Sequence, residues 1–359
     1  MNRDAKTYVA GHKGMVGSAI WNNLLAKGYR NLVGKSSREL DLRDAAAVKR
    51  FFDAEQPEYV YIAAAKVGGI MANNIYRADF IRDNLQIQQN LICESFEHGV
   101  KKLLFLGSTC VYPRDARQPM AETELLTSPL EYTNEPYAIA KIAGLKMCES
   151  FNIQYGTNFI AVMPTNLYGP NDNFDLERSH VLPAMMRKIH LGNCLRRNDM
   201  RAIRADFDKR PAANVTGQSS DAELLAAMEK YGIAPDGVTL WGTGAPMREF
   251  LWSEEMADAS VFVMEHVDFK DACSGKEIRN CHINIGTGQE ISIRALSALI
   301  AETVGYDGGK IHFDSSKPDG TMRKLTDVSK LNRLGWKHSI ELNEGVKRLY
   351  EWYLNFPRP

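Results

Sequence analysis

Strand and helix signals alternate along the first half of the chain, and this alternation constrains the fold more than any other feature. Short, β-prone apolar runs predict buried strands at 7–10, 59–63 and 102–106. Helical periodicity predicts helices at 15–27, 44–52, 78–97 and 136–155. Because such alternation implies right-handed crossovers between parallel strands, we expect an α/β, doubly wound parallel sheet of the Rossmann type. A ligand then belongs at the carboxyl ends of the strands.

A glycine-rich loop, Gly11-His12-Lys13-Gly14-Met15-Val16-Gly17, follows the first of these strands directly. A strand, a glycine turn and a helix in this order suit a dinucleotide, because bare backbone amides and the helix N-terminus face its pyrophosphate. The spacing is G-x-x-G-x-x-G, not the commoner G-x-G-x-x-G. An ordinary glycine turn is therefore the alternative to a dinucleotide site.

Three residues downstream of the loop, Ser108, Tyr137 and Lys141, predict hydride-transfer chemistry. Residues four apart share one face of a helix, so the Lys141 ammonium can stabilise a Tyr137 phenolate and lower its pKa. The Ser108 hydroxyl, at a strand end, can polarise the same carbonyl. We expect Thr133 or Asn134 to cap the helix and Tyr137 to lie near its positive dipole end. The alternative is a tyrosine and a lysine that merely cover a helix face.

Composition restricts the kinds of partner. The 359-residue chain has 44 Lys plus Arg and 44 Asp plus Glu, so its charge gives no argument for nucleic acid or a membrane surface. No apolar run approaches the roughly 18 residues of a membrane span, and the N-terminus lacks the core of a signal peptide. The six cysteines contain no C-x-x-C pair, which predicts a reducing cytoplasm, no disulfide framework and no metal site.

The chain resembles the extended short-chain dehydrogenase/reductase family over nearly its whole length, and within that family the GDP-L-fucose synthase branch. The motifs that carry the resemblance are GHKGMVGSAI (11–20), AAAKVGGI (63–70), LLFLGSTCVYP (103–113), NEPYAIAKIAGLKMCESF (134–151), MPTNLYGPNDNF (163–174), SHVLPAMMRK (179–188), WGTGAPMREF (241–250) and SKPDGTMRKL (316–325). The resemblance implies an NADP-binding Rossmann domain over 1–165, with later returns near 247–264 and 281–300. It also implies a smaller C-terminal α/β substrate lobe, formed mainly by 166–246 and 301–359.

The resemblance further implies a two-part reaction on GDP-4-keto-6-deoxy-D-mannose. Carbons three and five are epimerised first, because the ketone at carbon four acidifies their hydrogens, and Cys110 and His180 are the family's counterparts for that proton transfer. NADPH-dependent reduction follows, with Tyr137 as proton donor, Lys141 tuning it and Ser108 bonding the carbonyl oxygen. Cys110 follows Ser108 by two residues, and a cationic neighbour can raise its thiolate fraction. The alternatives are a packing role for Cys110 and a structural role for His180.

The end of the second strand indicates NADP over NAD. An acid there would hold the ribose hydroxyls of NAD, whereas cations and hydroxyls accept the extra phosphate of NADP, and residues 31–38 contain no acid. The implied cofactor-binding residues are Gly11, Lys13, Gly14, Met15, Val16, Gly17, Lys35, Ser37, Arg38, Asp41, Leu42, Ala63, Ala64, Ala65, Tyr137, Lys141, Pro164, Asn166, Leu167 and His180. An ordinary solvated basic turn is the alternative at the strand end.

The second half of the chain is expected to bind the GDP-sugar. The resemblance implies contacts from Asn166, Lys188, Trp241, Arg248 and Lys317. An apparent insertion near 191–237 begins with an arginine-rich stretch and then shows a capping-box signature at 220–223, before a short helix ending near Gly232. We expect a surface excursion there. The alternatives are a lid whose arginines contact the diphosphate and a contact with a neighbouring subunit.

Three other functions stay open on the sequence alone. A nucleotide-sugar dehydratase normally has an Asp-Glu pair where this chain has Thr109-Cys110. A hexose 4-epimerase keeps NAD tightly bound, and the missing acid near residue 36 argues against it. A non-catalytic dinucleotide-binding regulator tends to lose the tyrosine or the lysine, and both are present. The resemblance also implies a homodimer through 78–97 and 136–155, although an apolar helix face serves a core equally well.

Overall fold

Six parallel strands form the main sheet of the computed structural model, which describes residues 1–273, 278–317 and 319–355. In chain order the strands are β1 (Thr7–Ala10), β2 (Leu32–Val33), β3 (Tyr59–Ile62), β4 (Lys102–Leu106), β5 (Phe159–Pro164), β6 (Asn166–Tyr168), β7 (Ile233–Ala234), β8 (Gly237–Trp241), β9 (Met247–Arg248), β10 (Phe250–Trp252), β11 (Ile283–Ile285), β12 (Ile291–Ser292), β13 (Ile311–Asp314) and β14 (Arg323–Lys324). The main sheet has the order β11-β5-β4-β3-β1-β2. The predicted doubly wound α/β fold is confirmed.

The helices account for the crossovers between these strands. In chain order they are α1 (Met15–Ala26), α2 (Ala45–Glu55), α3 (Ile70–Ile75), α4 (Arg77–Glu97), α5 (Glu135–Tyr155), α6 (Val181–Arg196), α7 (Met200–Lys209), α8 (Asp221–Lys230), α9 (Ser253–His266), α10 (Phe269–Ala272), α11 (Ile293–Val304), α12 (Ser329–Leu334) and α13 (Leu342–Asn355). No helix among the described residues is both long enough and apolar enough to cross a membrane.

Successive side chains of the central strands enter two separate cores, one on each face of the sheet. Leu103 and Phe105 of β4 belong to the core that contains α2, α4 and α5 side chains. Leu104 and Leu106 belong to the core that contains α1 and α9 side chains. This alternation is what a strand with period two requires when both faces are covered.

The chain divides into two compact units. Unit 1 comprises Met1–Gly169, Glu249–Gln289 and Leu325–Ser339, and unit 2 comprises Pro170–Arg248, Glu290–Lys324 and Ile340–Pro359. Pro318 of the 316–325 motif and residues 356–359 of the predicted substrate lobe lie outside the described residues. Unit 1 contains the main sheet and the β6–β10 pair. Unit 2 contains two small sheets, β13-β8-β7 and β12-β9-β14.

The segment 191–237 belongs to unit 2 and contains α7 and α8, which leave many side chains exposed. α7 and α8 each bury an apolar face, through Ile203, Phe207, Leu224 and Met228. The predicted capping box is confirmed, since the Ser220 hydroxyl accepts from the Glu223 N–H and the Glu223 carboxylate accepts from the Ser220 N–H. Gly232 has a φ of +76° and so adopts the left-handed conformation after α8.

Glu131, and not the predicted Thr133 or Asn134, organises the turn that begins α5. Asn134 occupies the N-cap position without a side-chain capping hydrogen bond. Instead the Glu131 carboxylate accepts from the N–H of Thr133 at 3.2 Å and from that of Asn134 at 3.0 Å. It also accepts from the Thr133 hydroxyl at 2.5 Å. The carboxylate therefore fixes the turn that leads into the helix, while the amides inside the first turn of α5 have no capping side chain.

Glu249 is fully buried and gathers the ends of the segments that build unit 1. Its carboxylate accepts from the N–H groups of Thr287 at 2.6 Å and Gly288 at 2.8 Å. It also accepts from the N–H and the hydroxyl of Thr326 at 2.9 and 2.6 Å. The Glu249 carbonyl oxygen accepts from the Asn166 side-chain amide at 2.8 Å. Four places where the chain leaves or re-enters unit 1 thus meet at one residue.

One disulfide corrects the expectation drawn from the cysteine pattern. Cys273 and Cys281 are bonded, with their Cα atoms 4.6 Å apart. Cysteine spacing did not reveal the pair, because the two cysteines are eight positions apart and form no C-x-x-C motif. The other four cysteines, Cys110 among them, lie outside this bond.

Candidate active site

The glycine loop closes on itself between β1 and α1. The Gly14 N–H donates to the Gly11 carbonyl oxygen at 2.9 Å. Gly11 has a φ of +83°, and a Cβ there would lie 2.9 Å from the Ala64 Cα. A Cβ on Gly17 would collide with the Gly11 carbonyl oxygen. Because Gly14 caps α1 without a side chain, the first amides of the helix remain available to an anion.

The carboxyl ends of β1, β3 and β4 bring three predicted segments together. Ala63, Ala64 and Ala65 follow β3, and the Ala63 N–H donates to the Ala10 carbonyl oxygen at 3.0 Å. The backbone of Ala64 is the neighbour that requires a glycine at position 11. This edge of the sheet is the one at which a Rossmann fold binds its ligand.

Basic and hydroxyl side chains lie around the end of β2, as predicted. Lys13, Ser37 and Arg38 are exposed, and Lys35 is partly buried. Glu39 was not expected from the sequence, and it lies one residue beyond the acid-free stretch 31–38.

The Glu39 carboxylate accepts from the Ser36 N–H at 2.7 Å and the Ser36 hydroxyl at 2.5 Å. Those bonds, with smaller contributions from Lys13 and Lys35, lower the pKa of Glu39. An acid does therefore lie at this strand end, turned towards the backbone of its own loop. The S-x-x-E pattern at 36–39 was the signal for it.

The Asp41–Leu42 segment is tied down by neighbouring polar groups. The Asp41 carboxylate accepts from the Arg43 N–H and side chain at 2.8 to 3.0 Å, which lowers the pKa of Asp41 to about 2. The Leu42 carbonyl oxygen accepts from the Asn90 amide on α4 at 2.9 Å. The loop is thereby held against α4.

A one-turn 3-10 helix over Thr109–Val111 presents two of the predicted catalytic side chains. The Gly107 N–H donates to the Val162 carbonyl oxygen at 2.8 Å, which extends the β4–β5 pairing up to Ser108. The Ser108 hydroxyl then accepts from the Cys110 N–H at 3.4 Å and caps the turn. Thr109 is buried, whereas Ser108 and Cys110 are partly exposed. Ser108 and Cys110 therefore emerge together from the end of β4.

Tyr137 and Lys141 lie on one face of α5, near the same turn. Lys141 is almost fully buried, and its ammonium donates to the Leu106 carbonyl oxygen at 2.8 Å. The Lys141 nitrogen lies 5.8 Å from the centre of the Tyr137 ring. The Cys110 thiolate would be near enough to raise the pKa of both side chains. The structure thus brings Tyr137, Lys141 and Cys110 into one site.

The pKa of Tyr137 differs from the sequence-based expectation. Burial raises it above the ordinary value for a phenol. Burial also lowers the pKa of Lys141 to about 8. The physical reason is that the Lys141 ammonium is directed to the Leu106 carbonyl oxygen and makes no hydrogen bond to the phenol. Desolvation therefore outweighs the lysine's stabilisation of a phenolate here.

Pro164, Asn166 and Leu167 lie at the carboxyl end of β5, within unit 1. Pro164 pairs with Ile285 of β11, and Asn166 and Leu167 belong to β6, which pairs with β10. Glu249 holds the Asn166 amide, as described above. The sequence analysis missed Glu249, although a glutamate directly before a wholly apolar strand, Phe250–Trp252, was a usable signal.

Four predicted substrate-binding residues, Lys188, Trp241, Arg248 and Lys317, cluster around β8 and β9 in unit 2. The buried Lys188 ammonium reaches the Thr239 carbonyl oxygen at 3.5 Å, and burial lowers the pKa of Lys188 to about 8. Two residues further along β8, Trp241 is 57% exposed. The Lys317 ammonium lies 5.9 Å from the centre of the Trp241 ring.

Within this cluster, Asp319 contacts both Arg248 and Thr243, which follows β8. The Asp319 carboxylate accepts from the N–H and the hydroxyl of Thr243 at 2.7 and 2.8 Å. The Arg248 guanidinium donates to the Asp319 carbonyl oxygen at 3.5 Å. Asp319 lies inside a motif used for the resemblance, and its Asp-Gly turn pattern was the available signal.

His180 belongs to unit 2, at the N-cap of α6. Its side chain is exposed and makes no capping hydrogen bond. An imidazole titrates close to neutral pH, so it can accept or return a proton there.

The basic residues of 191–237 serve as internal supports of unit 2. Five of them donate to backbone carbonyl oxygens within the unit: Arg196 to Asp307, Arg197 to Gly305, Arg204 to Gly217 and Ser219, Lys209 to Leu354 and Arg210 to Tyr353. Lys230 donates to the Glu177 carboxylate at 3.0 Å. Guanidinium groups committed in this way do not favour the alternative of a lid that contacts the diphosphate.

Comparison with known proteins gives a consistent result. The model of the NAD dependent epimerase/dehydratase family matches residues 7–207 and 212–286. GDP-L-fucose synthase 1 of Arabidopsis thaliana is 50% identical over 353 residues, which cover 98% of this chain and 94% of that protein. GDP-L-fucose synthase of Escherichia coli strain K12 is 48% identical, covering 97% of this chain and 96% of that protein.

Solved structures are similar as well. The structure of a GDP-D-glycero-L-gluco-heptose synthase from Campylobacter jejuni, determined in the presence of NADPH, is 43% identical, with a TM-score of 0.91. The match covers 99% of this chain and 100% of that chain. The site geometry and these similarities together confirm the resemblance, and the chain belongs to the NAD dependent epimerase/dehydratase family of extended short-chain dehydrogenases/reductases.

Proposed function

We propose that the protein makes GDP-L-fucose from GDP-4-keto-6-deoxy-D-mannose, by epimerisation at carbons three and five followed by NADPH-dependent reduction at carbon four. The observation that carries the proposal is the convergence of Ser108, Cys110, Tyr137 and Lys141 at the end of β4. Two relatives at 48% and 50% identity over nearly the whole chain bear the name GDP-L-fucose synthase. The function of a dehydratase or of a non-catalytic regulator would explain neither the convergence of these four residues nor the names of these two relatives.

Unit 1 has the features that NADPH requires. The Gly11 to Gly17 loop and the open N-terminus of α1 fit a pyrophosphate, because a Cβ at either end of the loop would meet backbone. Lys13, Lys35, Ser37 and Arg38 would hold the extra phosphate, and Asp41 and Leu42 the adenine. Ala63–65, Tyr137, Lys141, Pro164, Asn166 and Leu167 complete the proposed set within unit 1, and His180, which belongs to unit 2, stays a predicted cofactor contact. NADPH, when bound, supplies the hydride that adds to carbon four.

Tyr137, Lys141 and Ser108 are proposed to assist reduction by donating a proton and a hydrogen bond to the carbonyl oxygen at carbon four. The Tyr137 phenol, with its raised pKa, is protonated at neutral pH and can donate its proton to that oxygen. The Ser108 hydroxyl can donate a hydrogen bond to the same oxygen, and the Lys141 ammonium favours the phenolate left after transfer. Each proton released by Tyr137 must be restored from solvent before the next turnover.

Cys110 and His180 are proposed to move the protons of epimerisation. A base removes a proton from each of carbons three and five, and an acid returns one to the opposite face. A thiol and an imidazole both titrate near enough to neutrality to serve in either role. The net change at each carbon is an inversion without gain or loss of hydrogen.

Unit 2 is proposed to bind the GDP part of the substrate, and Asn166 of unit 1 stays a predicted substrate contact. Lys188, Arg248 and Lys317 supply positive charge for the diphosphate and ribose, and the exposed face of Trp241 offers a stacking surface. The division into a 1–165 cofactor domain and a substrate lobe of 166–246 and 301–359 remains part of this proposal.

A homodimer through α4 and α5 and a cytoplasmic location complete the proposal. Three apolar side chains on α5 are exposed in the single chain: Ile139 at 43%, Ile153 at 55% and Tyr155 at 53%. Covering them in a second copy would bury apolar area. Sedimentation of the protein should therefore give twice the chain mass, and Ile139→Glu should reduce it to one chain.

A product assay tests the reaction. The protein should oxidise one NADPH for each GDP-4-keto-6-deoxy-D-mannose and release GDP-L-fucose, with solvent deuterium at carbons three and five when the reaction runs in D₂O. Absence of NADPH oxidation would remove the proposal.

A second candidate is reduction of a GDP-heptose ketone, favoured by the 43% identity to the Campylobacter jejuni heptose synthase. Specificity constants for the deoxyhexose and heptose ketones separate the two functions. A constant at least tenfold higher for the heptose would reverse our assignment.

A further inference from the structure

Tyr112 ends the turn that carries Cys110, and its side chain is buried. The Tyr112 N–H donates to the Thr109 carbonyl oxygen at 3.3 Å and closes the turn. Its phenol oxygen lies 2.9 Å from Nε2 of His282 and 2.5 Å from Oδ1 of Asn284. Both partners belong to the β11 segment of unit 1. No step of the proposed mechanism uses them.

The protons in this chain of hydrogen bonds have only one consistent order. The Asn284 side-chain nitrogen donates to the Met120 and Asp327 carbonyl oxygens at 2.9 and 3.1 Å, so its oxygen faces Tyr112 as an acceptor. The phenol must therefore donate to Asn284 and accept from His282. His282 then carries its proton on Nε2, which leaves Nδ1 as a bare lone pair. That Nδ1 atom is buried and has no hydrogen-bond partner.

The residues behind this chain are also fixed. The Asn284 N–H donates to the Glu122 carboxylate at 3.1 Å, and the Lys330 ammonium donates to the His282 carbonyl oxygen at 2.8 Å. A buried, fully directed network of this kind holds its members in one arrangement. The phenol of Tyr112 therefore connects the end of the turn to a rigid support.

Ser108 and Cys110 depend on this support to different extents. Ser108 directly follows Gly107, whose N–H is held by the Val162 carbonyl oxygen of β5. Cys110 lies two residues further on, between the Ser108 cap and the Tyr112 anchor. Loosening Tyr112 should therefore displace Cys110 more than Ser108.

We propose that Tyr112 is a positioning residue for epimerisation, which holds the Cys110 thiol in place through the chain of hydrogen bonds from His282 to Asn284. The inference rests on the proposed function, because it takes Cys110 as an acid or base at the epimerised carbons. It adds Tyr112 to the proposed site as a residue whose substitution should slow epimerisation but not hydride transfer.

The test compares the two half-reactions in Tyr112→Phe, which keeps the ring and removes the phenol oxygen. Incorporation of solvent deuterium into GDP-4-keto-6-deoxy-D-mannose, with NADP⁺ present and no hydride donor, reports proton transfer alone. Oxidation of GDP-L-fucose by NADP⁺ reports the Tyr137, Lys141 and Ser108 machinery. We expect deuterium incorporation to fall about tenfold or more and initial oxidation to change less than about threefold.

Tyr29→Phe is the matched control. Tyr29 is a buried tyrosine of unit 1 whose phenol donates to Glu265 at 2.6 Å, away from the turn. The Tyr29→Phe variant loses a partly buried hydrogen bond of similar length, so it should lower thermal stability without altering the ratio of the two rates.

A second variant keeps the test informative if Tyr112→Phe folds poorly. His282→Phe removes the proton that enters the chain but leaves the Tyr112 phenol bonded to Asn284. It should shift the ratio in the same direction by a smaller factor. The double variant should be no worse than Tyr112→Phe alone, because both changes act through one chain.

The outcomes distinguish the two proposals. If the unaltered protein neither exchanges deuterium nor oxidises GDP-L-fucose, the proposed function fails. If it does both, and Tyr112→Phe and His282→Phe lower the two rates equally or leave both unchanged, the positioning role is wrong.

Discussion

The Cys110 thiolate would raise the pKa of Tyr137, which places the two side chains in one site, yet the proposed reaction gives them separate tasks. Cys110→Ser replaces a thiol by a hydroxyl that is far less acidic. We expect deuterium exchange at carbons three and five to fall by about a hundredfold or more, and oxidation of GDP-L-fucose to persist. Mass spectrometry of the recovered substrate measures the exchange. Parent rates of GDP-L-fucose formation would show that Cys110 is a packing residue.

Tyr137→Phe should give the opposite pattern. Removing the phenol removes the proton donor to the carbonyl oxygen, so reduction should fall by about 10²–10⁴-fold. Exchange of deuterium into the ketone should continue, because the Cys110 thiol and the His180 imidazole are unchanged. NADPH absorbance and substrate mass are followed in the same samples. If deuterium exchange disappeared while reduction persisted, Tyr137 would be the residue of epimerisation, and its assignment as the proton donor for reduction would be wrong.

Two buried lysines should act on different kinetic parameters as pH rises. Burial lowers the pKa of both Lys141 and Lys188 to about 8, so both ammonium groups are charged below that pH and neutral above it. Neutral Lys141 should lower kcat above about pH 8, and neutral Lys188 should raise the KM for the GDP-sugar over the same range. Lys188→Arg stays charged, so it should cancel the rise in KM and leave the decline in kcat. Flat profiles to pH 9.5 would contradict both roles.

The glycine loop is the element whose packing is most sensitive to one added carbon. A Cβ on Gly17 would strike the Gly11 carbonyl oxygen, whereas a Cβ on Gly14 would lie 3.5 Å from the same atom. Gly17→Ala should therefore destabilise the cofactor-free protein by about 1–3 kcal/mol or more, and Gly14→Ala by less than about 1 kcal/mol. Thermal unfolding of the two variants checks this. An equal loss of stability in the two variants would show that the loop backbone shifts to accommodate a Cβ at position 17.

Elements with local signals were predictable, and elements assembled over long distances were not. The helices expected at 15–27 and 78–97 occur at Met15–Ala26 and Arg77–Glu97, because periodicity and turn residues mark both ends. β11 joins the sheet beside β5 from far along the chain. The resemblance implied that 281–300 return to this domain, but nothing in the three residues of β11 reveals its pairing with β5. The start of α5 and the N-cap position of Asn134 were predictable, but the capping hydrogen bond was not, because the Glu131 carboxylate and not the Asn134 side chain organises the turn before the helix.

The candidate site divides in the same way. Ser108, Cys110, Tyr137 and Lys141 were identifiable because each lies in a compact motif whose spacing carries the chemistry. Glu249 and Tyr112 were not, because their importance arises from partners on other segments. The pKa of Tyr137 could not be predicted either, since it depends on burial and on the carbonyl oxygen that Lys141 selects.

At the scale of the whole molecule, Glu249 should be among the most sensitive acids. Glu249→Gln places an amide NH₂ against backbone N–H donors, and each hydrogen bond to a charged acceptor contributes about 1.5–3 kcal/mol. We expect a loss of stability of that order in urea unfolding. Glu149→Gln, a buried acid paired with Lys146 at 2.6 Å, is the control and should lose less. A loss at Glu249 no greater than at Glu149 would show that the gathered segments hold together without it.

The convergence of segments on Glu249 also limits the order in which unit 1 can fold while the chain is being translated. Domains generally begin to fold as they emerge from the ribosome, N-terminal parts first, and the first 169 residues already contain the glycine loop and five strands of the main sheet. Yet the outer edge of β5 waits for β11, and the Glu249 carboxylate waits for Thr326. Until β11 has been translated, nascent unit 1 must therefore expose the unpaired edge of β5. An exposed strand edge is prone to wrong pairing, so we expect ribosome-associated chaperones to bind the nascent chain at this stage.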